Sequence, residues 1–435
     1  MTPSARLQAA IEILTELERT HAPADRFMRE WFRARRYAGS KDRAAVGERV
    51  FDVLRHRASF GWRMRNSAPR ALVIASVLAE GSSLASKASG GGGPPQAVEG
   101  ALDALFSGGG YGAGSLSDEE RAAIASPPAG APPLDVLGEF PAWLEPELTR
   151  SLGDRLLDEM RAMCGRAAID LRVNTLKASR EDVLRELTAA GFAAEPAPHA
   201  PNGIRIGRET KVSALSQSTA FVDGRFEFQD EAAQIACVLC AAKPGERILD
   251  LAAGAGGKAL ALAAAMNNSG EIVACDIDGA RLAQLAPRAA RAGATIIRTQ
   301  LLTGDLPEDP FDAVLVDAPC SGTGTWRRQP ELKWRLTAER LAALTQTQDG
   351  LLDQAASLSP SRIVYATCSL LKCENEDRIA AFLARHPAYR LSAPADVWRQ
   401  ATGAPPPPGM GDCFNASPLG TGTDGFFAAV LARRG

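Results

Sequence analysis

Phe311-Asp312-Ala313-Val314-Leu315-Val316-Asp317-Ala318-Pro319-Cys320-Ser321-Gly322-Thr323-Gly324 takes an apolar, β-favouring run straight into an acid, a proline, a cysteine and a cluster of small residues. An apolar run bounded by turn residues predicts a strand buried on both faces, with residues 317–320 leaving its carboxyl end. In open α/β sheets that edge is where ligands bind. The rest of the chain is placed relative to it.

At 435 residues the chain exceeds one ordinary core, and two or three domains are expected. A hydrophobic content of 46% with 23% charged residues puts it among ordinary water-soluble globular chains. No apolar run approaches the length of a membrane span, and the first residues lack the apolar core of a secretory signal. Eight cysteines in such a chain point to reduced thiols in a cytosolic setting, so a cytoplasmic location is expected; a monomer with no membrane partner is expected as well. The net charge of −2 argues against a nucleic-acid partner, yet residues 1–70 hold 15 Lys/Arg against 8 Asp/Glu. That local excess suits either a phosphate-binding face or a solvated helical surface.

Residues 1–80 carry helical spacing without a strand signal: Leu7, Ala10, Ile11, Leu14 and Leu17, then Phe27, Trp31 and Phe32. Residues 81–140 read as a Gly/Pro/Ala-rich linker, with Gly90-Gly91-Gly92-Gly93-Pro94-Pro95 and Gly108-Gly109-Gly110, and one short apolar patch at 98–106. Residues 141–220 give helix over 143–163, strand over 169–176, a helix capped by Ser179 and a short strand through Ile204 and Ile206, making a small α+β unit. From residue 221 strands alternate with helices: 247–251, 272–275, 295–299, 313–316, 362–366 and a late one at 426–431. That alternation predicts a mostly parallel, doubly wound α/β sheet.

The first of these strands runs into Ala252-Ala253-Gly254-Ala255-Gly256-Gly257-Lys258 and a helix. A strand, a glycine turn and a helix N-terminus make a cradle where backbone approaches a ligand closely. Asp276 closes the next strand, placed to accept from ribose hydroxyls. A phosphate-binding P-loop fails, because Ala252 and Ala259 stand where glycine and a hydroxyl residue are needed. A dinucleotide site fits loosely, and S-adenosylmethionine occupies the same kind of cradle. The loop alone does not separate these two.

The cysteines do. Cys237 and Cys240 lie on a predicted helix with no second pair or nearby histidine, so no metal is expected. Cys164, Cys275, Cys373 and Cys413 have no recognisable chemical surroundings. Cys320 and Cys368 each follow a buried strand directly, and neighbouring strands would aim both thiols into the crevice of the glycine loop. Methylation at carbon 5 of a pyrimidine wants this arrangement. A thiolate adding to carbon 6 makes carbon 5 nucleophilic, an acid near ring nitrogen 3 stabilises the adduct, and a base removes the carbon-5 proton so that the thiol can leave. Cys368, Cys320 and Asp317 could supply these parts.

Gln229-Asp230-Glu231-Ala232, residues 250–258, Asp317-Ala318-Pro319-Cys320-Ser321-Gly322-Thr323-Gly324, Tyr365-Ala366-Thr367-Cys368-Ser369 and Asp424-Gly425-Phe426-Phe427 occur in the order that resembles RsmB/Nop/Sun-family RNA cytosine-5 methyltransferases, from about residue 141 to the end. The helical N-terminus is similar to the NusB-like RNA-binding domain of the bacterial 16S rRNA members. The resemblance implies a class I, Rossmann-like methyltransferase domain over 221–435. It makes Cys368 the nucleophile and Cys320 the residue that assists product release. Asp317 orients the cytosine and also lines the cofactor site. The loop 252–257, Lys258 and Asp276 hold S-adenosylmethionine, and either Gln300 or Asp305 meets its adenine. Arg327, Arg328 and Lys333 meet RNA, or else begin a helix with a core Trp334. The implied substrate is rRNA, with tRNA as the alternative.

Where the family has Cys, Ala, Pro and Thr, this chain has Ala252, Gly254, Ala255 and Ala259; small residues preserve the cradle. Three other readings stand beside this one. A DNA cytosine-5 methyltransferase would attack through Pro319-Cys320 and has no use for a second strand-end cysteine. An RNA-binding assembly factor that has lost catalysis is motivated by the altered loop. A nicotinamide-dependent oxidoreductase explains neither thiol.

Overall fold

The computed structural model describes residues 1–89, 100, 102–307 and 310–434. It divides into two compact units, one of Met1–Pro146, Asp154–Cys164 and Gln329–Arg335, the other of Glu147–Gly153, Gly165–Arg328 and Leu336–Gly435.

The first unit is helical. Helices Pro3–Leu17, Ala24–Arg33, Ser40–Arg55, Arg57–Met64 and Pro69–Ser89 turn their apolar stripes onto a core of Ile13, Leu14, Trp31, Phe32, Val46, Val50 and Ile74. The expected boundary at residue 80 is corrected. Leu102, Phe106, Ala113 and Leu116 are buried in that same core, so much of the expected linker is part of the unit. Helix Asp118–Ala125 starts at a capping box in which Ser117 and Glu120 satisfy each other's backbone N–H, and Arg70 grips Glu120 at 2.7 Å. The apolar patch at 98–106 supplies Leu102 and Phe106, and the glycine-flanked Ala113 and Leu116 fill the core space beside them. The tetraglycine run lies outside the described residues.

A short helix from far along the chain, Glu331–Arg335, also belongs to this unit. Glu331 accepts the Ala24 N–H at 2.9 Å, Trp334 Nε1 donates to the Leu54 carbonyl at 2.7 Å and Arg335 to that of Ala22 at 3.0 Å. Lys333, expected to meet RNA, is 1% exposed and lies 3.4 Å from the Arg55 carbonyl. Burial pushes its ammonium below the ordinary lysine range.

The second unit holds two sheets. The smaller is antiparallel, with β1 (Ile169–Val173), β2 (Ala194–Pro196), β3 (Gly203–Ile206) and β4 (Phe226–Phe228) in the order β2-β3-β1-β4. Helix Arg180–Ala189, capped by Ser179 as expected, covers it through Val183 and Leu187. β2 and β4 are too short to carry a periodic signal.

The larger sheet contains β5 (Arg247–Asp250), β6 (Glu271–Asp276), β7 (Ile297–Leu301), β8 (Ala313–Asp317), β9 (Arg362–Thr367), β10 (Tyr389–Ser392), β11 (Phe414–Ala416) and β12 (Phe426–Arg433). The order is β10-β12-β9-β8-β5-β6-β7, with β11 on β12; β5 to β9 are parallel and β12 runs antiparallel against β9. This is the doubly wound, Rossmann-like sheet of class I methyltransferases. Strand order reverses between β5 and β8, which opens a crevice at their carboxyl ends. Both faces are covered: Ile248, Ile272, Ala274, Leu315, Val364 and Ala366 pack on one, Leu249, Val273, Val314, Ile363 and Tyr365 on the other. Burial on both sides is why these strands read as continuous apolar runs.

Candidate active site

Alternation along the strands assembles the site. Side chains at i and i+2 share a face, so the face carrying Ile248, Ala274, Leu315 and Ala366 also receives Asp250, Asp276, Asp317 and Cys368. Four adjacent strands thus deliver three carboxylates and a thiol to one side of the sheet, at its carboxyl edge. Sequence marks each residue as a strand end, and pairing register makes them neighbours.

The glycine loop wraps this edge. Ala253 N–H binds the Cys275 carbonyl at 2.8 Å and Gly254 N–H binds Asp276 Oδ2 at 2.7 Å. Gly256 has φ +80°, and a Cβ there would stand 2.1 Å from Leu285 Cδ1, so the turn into helix Gly257–Ala265 requires glycine. Two arginines unmarked by sequence motif brace the loop: Arg172 donates to the Gly257 carbonyl at 2.7 Å and Arg288 to that of Ala255 at 2.6 Å. Asp276 is itself fixed by the Asp278 N–H at 2.8 Å, and its two oxygens keep further lone pairs.

Asp250 is the group that motif reading passed over. It is fully buried, and neither carboxylate oxygen has a hydrogen-bond partner. Burial, then the Asp317 charge, pushes it from 3.8 up to about 7. The folded state therefore holds this proton more tightly than the unfolded one, so stability falls as pH rises from about 4 to about 7 and is level above that. Asp250→Asn is expected to exceed wild type by up to ~4 kcal/mol near pH 8 and to match it near pH 4, read from denaturation midpoints at both pH values.

Lys258 Nζ pairs with Asp317 Oδ2 at 2.6 Å and lies 5.3 Å from the Phe426 ring. Burial, the largest single influence, would lower this lysine, but the charge and hydrogen bond of Asp317 together with the Cys237 and Asp250 charges raise the ammonium above its ordinary range.

Cys320 Sγ and Cys368 Sγ are 3.3 Å apart. The hydrogen bond with Cys368, then burial, raises the Cys320 thiol well above its ordinary value. Gly324 ties the two loops: its N–H binds the Cys368 carbonyl at 2.9 Å and its carbonyl accepts the Gly425 N–H at 2.8 Å. A Cβ on Gly324 would sit 2.0 Å from the Gly425 carbonyl oxygen, so this crossing needs glycine on both sides.

Not every expected residue joins this cluster. Gln300 pairs in register with Cys275, on the face opposite Asp276, and its oxygen takes a hydrogen bond from Arg298 at 3.2 Å. Asp305 is exposed in the loop after β7. Arg327 is 5% exposed and bonded to Asp424 at 2.5 Å. Arg328 binds Asp424 at 2.5 Å and Asp230 at 2.9 Å. Arg327 and Lys333, expected to meet RNA, are thus buried in internal ties, while Arg328 keeps a part-exposed side chain bonded to two acids.

Residues 140–213 match the model of the RsmF/B-like ferredoxin-like methyltransferase domain, and residues 237–432 match that of the 16S rRNA methyltransferase RsmB/F. The chain belongs to the RsmB/F methyltransferase family. It is 36% identical over 267 residues to a probable ribosomal RNA small subunit methyltransferase B of Synechocystis sp., covering 58% of this chain and 59% of that protein. It is 35% identical over 303 residues to ribosomal RNA small subunit methyltransferase B of Salmonella newport, covering 68% and 66%. The match therefore spans under two thirds of either relative. The crystal structure of PH0851 superposes with a TM-score of 0.73 at 27% identity over 100% of this chain and 99% of that one. A methyltransferase homologue from Pyrococcus horikoshii gives 0.57 at 25% identity over 69% and 97%.

In this RsmB/F-family chain the cofactor cradle passes a test on its own atoms. A buried carboxylate with no partner and a second one held at the end of β6 beside the glycine turn fit the cationic, ribose-bearing S-adenosylmethionine.

Proposed function

We propose that this protein is an S-adenosylmethionine-dependent RNA cytosine-5 methyltransferase working through a covalent cysteine adduct, with rRNA as its substrate. The observation that carries the reading is the pair of strand-end thiols 3.3 Å apart on the edge that also bears Asp317. Names of the relatives favour small-subunit rRNA. The cofactor supplies the methyl group. Asp276 would hold its ribose and Asp250 its ammonium, with the loop 252–257 around it and Asp305, free of the parity that turns Gln300 away, at the adenine.

Cys368, as thiolate, adds to carbon 6 of the cytosine and makes carbon 5 the nucleophile. Asp317, locked by Lys258, orients the ring through nitrogen 3 and shares a proton there; the adjacent ammonium favours negative charge at that point. After carbon 5 is methylated, its proton passes to water. The freed pair closes the carbon 5–carbon 6 double bond, and the carbon–sulfur pair leaves on Cys368. Cys320, held as a thiol, donates a hydrogen bond to the departing sulfur. Bisulfite sequencing of rRNA and tRNA from a deletion strain tests this: one unmodified cytosine in small-subunit rRNA is expected. Loss in tRNA alone would move the substrate, and no loss, with no cofactor binding by calorimetry, would favour a non-catalytic assembly factor.

A further inference from the structure

The two thiol loops share one buried carboxylate. Glu374 is fully buried; its Oε1 accepts the Ser321 N–H at 2.8 Å and Gln348 Nε2 at 3.0 Å, and its Oε2 accepts the hydroxyls of Ser321 and Ser369, both at 2.5 Å. Ser321 follows Cys320 and Ser369 follows Cys368, so a single side chain grips the residue next to each sulfur. Gln348 also reaches the Pro319 carbonyl at 3.0 Å, which pins the other side of Cys320. Thr323 adds a link, touching Ser369 Oγ at 3.1 Å and accepting the Leu370 N–H at 2.8 Å.

The rest of the Glu374 turn is equally committed. Its carbonyl accepts the Tyr365 hydroxyl at 2.6 Å, while Asn375 holds Thr367 Oγ1 at 2.6 Å and the Ser369 carbonyl at 2.9 Å. The four donors to the carboxylate are all uncharged, and Arg378 nearby pairs with Asp349 instead. A buried carboxylate without a cation is costly and is tolerated only with its lone pairs satisfied. The geometry points to what this arrangement secures: we propose that Glu374 is a positioning residue that sets the separation of the two thiols, so that Cys320 can assist the departure of Cys368 from the methylated base. This rests on the covalent mechanism above.

The test compares Glu374→Ala, Glu374→Gln and Cys320→Ser on small-subunit rRNA transcribed in vitro, scoring turnover and covalent protein–RNA adduct on denaturing gels. Glu374→Ala is expected to lose roughly 10²-fold in turnover, the scale of an ångström's misplacement, while its adduct rises severalfold and cofactor KM stays unchanged. Glu374→Gln keeps one acceptor and can donate to the two serine hydroxyls, so it is expected to recover turnover to within about threefold of wild type. If Glu374→Ala does not fold, Ser369→Ala removes one arm and is expected to show the same rise in adduct at smaller size. A fall of adduct in parallel with turnover, unchanged turnover, or a glutamine variant as weak as alanine overturns the positioning role. Adduct in Cys320→Ser but not in Glu374→Ala overturns that role alone; adduct in neither overturns the covalent mechanism with it.

Discussion

Cys368→Ser is expected to abolish methyl transfer, and Cys320→Ser to leave protein and RNA covalently joined. The two sulfurs are 3.3 Å apart, yet their settings differ. Cys368 continues β9 on the face that also bears Asp250, Asp276 and Asp317, so it stands on the acidic side of the edge. Cys320 leaves β8 through Ala318-Pro319 and is held as a thiol by its hydrogen bond to Cys368 and by burial. A serine hydroxyl is a far weaker nucleophile and a far weaker acid than a thiol. At position 368 it forms no adduct, and at position 320 it cannot support release. Loss of at least ~10⁴-fold in turnover is expected for Cys368→Ser, the scale seen when a covalent nucleophile is removed. Denaturing gels with peptide mapping check both variants, and adduct mapped to Cys320 instead would reverse the assignment.

Asp424→Ala is expected to destabilise the second unit by about 3–5 kcal/mol, because it strips a buried ion network of its central acid. Asp424 receives Arg327 and Arg328, each at 2.5 Å, and its N–H binds Asp230 at 3.1 Å. Arg327, 5% exposed, would be left with only a 3.7 Å approach to Asp230. The cost is that of an uncompensated buried charge, so Arg327→Met combined with Asp424→Ala is expected to recover part of it. Denaturant midpoints of the single and double variants give the comparison, and a double variant no better than Asp424→Ala would refute the account.

Much of this architecture was legible in the order of residues. Apolar runs such as 313–316 and 362–366 must be strands buried on both faces, and their alternation with helices leaves few topologies other than a parallel doubly wound sheet. Gly256 and Gly324 mark places where backbone has to pass close to something. The two cysteines at strand ends stood out because a thiol at the rim of a crevice differs chemically from one in a core. The helical unit was harder: Leu102 and Phe106 sit in one short apolar patch, and Ala113 and Leu116 stand among glycines with no helix stripe, although each fills core volume.

Local pattern alone determined the strands, the glycine cradle, the strand-end acids and the pair of thiols around the stretch 311–324, because hydrophobic period and turn chemistry are properties of neighbours in the chain. Tertiary structure decided the rest. Register set which face each acid occupies, bringing Asp250 beside Asp317 and Asp276 while turning Gln300 away. Long-range pairing turned Arg327 and Arg328 inward to Asp424, buried Lys333 in the helical unit, and placed one carboxylate, Glu374, between two loops 48 residues apart. Charge and burial of a side chain depend on what the fold packs against it, and no window of sequence contains that.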